Sequence, residues 1–101
     1  MIVLHRLAHA QVANLRAFYE EHDRPQALAN LRAAIQTAAD RIAAQKGPFY
    51  TAPRPYPMAV RPGWQWLKAG SYWIAFVADG DDFIVRAVFH ESADIPNRLP
   101  R

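Results

Sequence analysis

Hydrophobic positions change period along this chain. Between residue 8 and about residue 22, Val12, Leu15, Phe18 and Tyr19 recur at helical spacing and predict a helix with these side chains on its core face. Asp23-Arg24-Pro25 interrupts the pattern, and proline suits the first turn of a new helix. A second stripe follows, Leu28, Leu31, Ile35, Ala38 and Ile42, at intervals of three and four residues. Its many alanines favour the helix and allow close approach to a neighbour, and Gly47-Pro48 predicts the stop. The short link between the two stripes predicts an antiparallel helix hairpin.

Beyond residue 63 the period falls to two. Tyr72-Trp73-Ile74-Ala75-Phe76-Val77 and Phe83-Ile84-Val85-Arg86-Ala87-Val88-Phe89 flank Asp79-Gly80-Asp81-Asp82. Two β-branched and aromatic runs around a short glycine-containing turn predict an antiparallel hairpin. Trp64 to Lys68, ending at Ala69-Gly70, adds a strand before it and makes a meander; Ile2-Val3-Leu4-His5 predicts a first strand. Strict alternation sets Tyr72, Ile74 and Phe76 against Trp73, Ala75 and Val77, and places Arg86 and His90 on one side of their strand. That charged side is expected to be the open face, with the helices covering the other. Residues 48–63 hold five of the eight prolines, which cannot donate to a ladder, so this stretch predicts an extended surface connection with a little edge pairing. The tail from Glu91 predicts irregular chain, with Ile95 and Leu99 docking on the body. The expected fold is α+β: an N-terminal strand and an antiparallel helix hairpin packed on a small antiparallel sheet, one domain over residues 1–101.

Composition narrows the chemistry. At 101 residues the chain can bury a single core. It has no cysteine, which rules out disulfides and cysteine metal sites. No stretch approaches the roughly 20 apolar residues of a membrane span, and the start is too short for a signal peptide, so a cytoplasmic location away from membranes is expected. Charge is distributed unevenly. No acid lies between Asp40 and Asp79, while Arg41, Lys46, Arg54, Arg61 and Lys68 do. A basic stretch without acids suits either a solvated face or a negatively charged partner, nucleic acid or an acidic protein segment. There is no phosphate loop, no metal-binding helix motif and no nucleophile elbow. Asp79, Asp81 and Asp82 suit a turn better than a calcium loop, since the further ligands are missing. No cofactor and no metal are implied. Trp64, Trp66 and Trp73 exceed what a sheet covered on one side hides, which points either to a groove filled by a partner or to placement in the core, with Trp73 open to both readings.

The order strand, helix hairpin, proline-rich link and meander ending in histidine resembles the RelE/ParE superfamily of bacterial type II toxins, on its ParE side. The residues that carry the resemblance are Pro25 with the alanine-rich helix, then Leu67, Gly70 and Tyr72-Trp73-Ile74, and above all Ala87-Val88-Phe89-His90 followed by Ala93-Asp94-Ile95-Pro96. The last pair is similar to the family's V-x-H-x-x-R-D ending, with Ala93 in place of the arginine. Gln65 stands where an earlier strand arginine is often found, or Trp66 displaces it.

The resemblance implies a toxin bound and neutralised by a cognate antitoxin in a hetero-oligomer. It implies one of two actions: inhibition of DNA gyrase by binding, as in ParE-like members, or ribosome-dependent cleavage of messenger RNA, as in RelE-like ones. For cleavage the candidate residues are Arg61, Lys68, Arg86 and His90, the last as general acid or base. For target or antitoxin binding they are Trp64, Trp66, Trp73 and Arg98. The two missing arginines and the lack of a second base after His90 favour the binding action, or a toxin fold that has lost toxicity.

Overall fold

In the computed structural model, which describes residues 1–99, the chain runs β1 (Ile2–Leu4), α1 (Arg6–Glu21), α2 (Pro25–Ala44), β2 (Gln65–Ala69), β3 (Tyr72–Asp79), β4 (Asp82–His90) and α3 (Ile95–Arg98). His5 starts α1, its Nδ1 accepting the Leu7 N–H at 3.4 Å. Pro25 opens α2, where its missing N–H leaves nothing unpaired. The helix ends at Ala44 and is capped by Gln45, two residues before Gly47, in the left-handed conformation (φ 54°). The Arg41 guanidinium then ties this end to the sheet, donating to the carbonyls of Lys46 (3.1 Å), Pro48 (3.3 Å) and Lys68 (2.9 Å). One residue of the acid-free basic stretch is thus a structural clamp.

The four strands form one sheet in the order β1-β4-β3-β2. The meander is antiparallel, while β1 joins β4 in parallel, pairing Ile2, Val3 and Leu4 with Phe83, Ile84 and Val85. Gly70 and Gly80 take φ of 57° and 61° at the first position of two-residue hairpin turns, the place where such turns favour glycine. Past the end of β1 the edge of β4 is covered by α1: the Val88 N–H donates to Gln11 Oε1 at 2.8 Å.

Strict alternation fails at one residue. Ala75 pairs with Ala87 but Phe76 pairs with Val85, so Arg86 is an extra residue, a β-bulge. The bulge puts Val85, Val88 and His90 on the side of Tyr72, Ile74 and Phe76, and Ala87 and Phe89 on the side of Trp73 and Ala75. Arg86 and His90 therefore do not share a side, contrary to the alternation expected from the sequence.

Both faces are buried. The first packs on α1 and α2 through Ala8, Tyr19, Leu31, Ala38 and Ile42. The second, expected to be open, carries its own core of Trp66, Trp73, Ala75, Ala87 and Phe89, covered by residues from 50–64 and by Ile95 and Leu99. The tail is thus a short helix with two buried anchors rather than irregular chain. Phe18, expected in the core, is 49% exposed.

Candidate functional site

The second face is built from rings with cations laid over them. Its cover starts where Tyr50 exchanges two backbone hydrogen bonds with Trp66 on the β2 edge (2.8 and 2.7 Å). Tyr56 then donates its hydroxyl to the Ala93 carbonyl at 3.3 Å, joining the proline-rich segment to the tail. Inside, Trp66 stacks on Phe89 (6.4 Å between centroids) and lies 6.0 Å from Trp64, while Tyr50 meets Trp73 edge-on at 5.9 Å.

Four cations cover these rings. Arg54 lies 4.7 Å from the centre of Tyr50, Lys68 lies 5.7 Å from Trp73, and Arg61 and Arg86 lie 5.7 and 5.5 Å from Trp64. Each contact is worth about 0.5–1 kcal/mol at an exposed site. The larger effect is on geometry: a ring surface fixes a long, flexible cation and leaves its N–H groups free to bind. Lys68 is partly neutralised by Glu91 (2.8 Å), whose carboxyl is held below its usual range by that hydrogen bond and charge. Among the described residues Arg54, Arg61 and Arg86 have no carboxylate partner. The Arg86 Nε and Trp66 Nε1 donors are buried with no acceptor among those residues.

Arg61, Arg86 and Trp64 thus come together, and Lys68 joins Trp73 on the same face. The three tryptophans differ: Trp66 is fully buried and Trp73 nearly so, while Trp64 is half-buried at the rim. Trp66 and Trp73 therefore hold the face together, and Trp64 is the indole that keeps part of its surface exposed.

His90 and Arg98 lie elsewhere, in a cleft beside α1. His90 pairs with Tyr72 across the sheet and packs edge-on against that ring at 5.3 Å. Its Nδ1 is engaged by the Ser92 hydroxyl (2.8 Å) and the Ser92 N–H (3.2 Å). A histidine tied to its own turn and set on the opposite face from Arg86 is poorly placed to pass protons at the cation cluster.

Sequence reasoning counted Arg54 in the basic stretch and Tyr50 as an anchor of the proline-rich one but did not bring them together, and it did not place Glu91 beside Lys68. The signal was present in the interleaving of Tyr50, Arg54, Tyr56, Arg61 and Trp64, with aromatic and basic residues alternating through the proline-rich stretch. It also missed Tyr19 and Tyr72, whose hydroxyls meet at 2.7 Å between α1 and the sheet. Burial, with the Tyr19 hydroxyl adding to it, pushes the Tyr72 phenol well above its ordinary value.

No family model and no curated protein matches the sequence. Among solved structures, a chain of the "Chromosomal ParDE TA system from P. aeruginosa" superposes with a TM-score of 0.67 at 15% identity, covering 88% of this chain and 92% of that chain. At that identity the likeness is one of fold. It bears out the expected α+β architecture, with two helices on a four-stranded sheet. No helix among the described residues is long and apolar enough to cross a membrane.

Proposed function

We propose that this chain is the toxin of a toxin–antitoxin pair, that it acts by binding DNA gyrase rather than by cutting RNA, and that a cognate antitoxin neutralises it in a hetero-oligomer in the cytoplasm. The fold likeness to a ParDE chain supports the class. The observation that carries the mode of action is the arrangement around Trp64: two arginines held on one indole, with His90 on the other face of the sheet. Such a cluster suits recognition. A planar guanidinium fixed on a ring offers paired N–H donors to a carboxylate, and a half-buried tryptophan between arginines has the composition of a binding hot spot.

A second action, ribosome-dependent RNA cleavage by Arg61, Lys68, Arg86 and His90, is favoured by the three cations sharing one face. It is opposed by the bulge, which turns His90 to the other face. A third, a toxin fold without toxicity, rests on Gln65 and Ala93.

Producing the chain alone in bacteria separates the three. Growth arrest with intact transcripts is the expected result. Cut transcripts that become intact in His90→Ala would establish the nuclease, and undisturbed growth would establish lost toxicity.

A further inference from the structure

Two adjoining hollows, of about 270 and 470 Å³, lie between α1 and the end of β4. They share Leu15, Phe18, His90, Ala93 and Arg98; Arg24 and Ser92 line the larger, Gln11 and Asn14 the smaller. Among the described residues, no acidic one lines either hollow.

Two of the polar groups here, His90 and Gln11, are left with donors as their unused ends. A backbone N–H can only donate, so the Ser92 N–H fixes His90 Nδ1 as an acceptor and places the neutral ring's proton on Nε2. In the same way the Val88 N–H occupies Gln11 Oε1, leaving the Gln11 amide nitrogen as the unused end. Neither Arg24 nor Arg98 makes an ion pair among the described residues. Two guanidinium charges with neutral N–H donors nearby match a dianion better than a single carboxylate. Phe18 adds an exposed ring, and Asn14 and Gln11 add amides of the kind that bond to the edge of a heterocycle.

We propose that this cleft binds a nucleoside monophosphate. The phosphate sits on Arg24 and Arg98 with His90 donating to it, and the base lies against Phe18 toward Gln11 and Asn14. This site is separate from the cation–aromatic face and does not depend on the toxin assignment.

The test is calorimetric titration of the full-length chain with AMP and UMP, with adenosine, uridine and inorganic phosphate as controls, on the wild type, Arg24→Gln/Arg98→Gln and Phe18→Ala. All three positions are exposed, and thermal unfolding of each variant checks that the fold is kept. The expected result is saturable binding of at least one monophosphate, at least tenfold tighter than its nucleoside and than phosphate. Arg24→Gln/Arg98→Gln should weaken it at least tenfold, and Phe18→Ala should weaken it toward the affinity of phosphate alone. Absence of saturable binding, equal binding of nucleoside and nucleotide, or affinity unchanged in the folded arginine variant would overturn the proposal.

Discussion

The guanidinium of Arg86 lies 5.5 Å from the centre of the Trp64 ring, although Arg86 belongs to the middle of β4 and Trp64 to the loop before β2. The β-bulge makes this possible. A residue in register would point directly into one face or the other, whereas the extra residue is released from the ladder and can reach the rim.

Arg86→Ala and Trp64→Ala should therefore weaken binding more than folding. If the Arg61–Trp64–Arg86 cluster is a hot spot, each substitution costs about 2 kcal/mol or more in affinity for the target or the antitoxin. The cation–π contact itself accounts for about 0.5–1 kcal/mol of stability. Urea denaturation of the purified variants, set beside a growth assay of cells producing each one, measures the two effects separately.

The tail should behave as core. Ile95 is fully buried, and Ile95→Ala is expected to cost about 2–5 kcal/mol, as for other large-to-small core changes. Removing residues 95–101 uncovers Trp66 and Phe89, which should shift tryptophan emission to longer wavelength. Unchanged emission would show that the second face does not need α3 as its cover.

Tyr19→Phe strands the Tyr72 hydroxyl in the helix–sheet interface and should cost about 1–3 kcal/mol. Tyr19→Phe/Tyr72→Phe removes both hydroxyls and should cost less than the sum of the single changes. Chemical denaturation of the four proteins completes the cycle.

The same pair sets an alkaline limit. Burial, and then the Tyr19 hydroxyl, raise the Tyr72 pKa in the folded state, while in the unfolded chain it titrates near the ordinary value of about 10. Above that pH the folded form holds the proton that the unfolded form has lost. Stability from this group is therefore complete below about pH 10 and falls as pH rises beyond it. In Tyr72→Phe the slope above pH 10 should be shallower, as thermal unfolding from pH 8 to pH 11.5 can show.

The helices were legible because their stripes are long and bounded by Pro25 and a clear stop, and the hairpins because Gly70 and Gly80 sit where two-residue turns need positive φ. What alternation could not reveal was the bulge. One extra residue inverts the assignment of everything beyond it, so Arg86 and His90, separated by four positions, were expected together and lie apart. The second apolar face was hidden for a related reason. Its cover comes from proline-rich chain and a four-residue helix, neither of which has a hydrophobic period to detect. Of the candidate residues, Arg61, Trp64, Lys68, Trp66 and Trp73 lie within eight positions of one another or directly across the β2–β3 ladder, and local sequence brought them to one face. Arg86 joined them through the bulge, while His90 and Arg98 were carried to the α1 cleft by long-range packing.

The most direct test of the central claim is supercoiling of relaxed plasmid by purified DNA gyrase in the presence of the purified chain. Inhibition that is dose-dependent, is lost in Arg86→Ala and is reversed by the cognate antitoxin is the predicted result. Full supercoiling at a large molar excess of a chain that still arrests growth would contradict it.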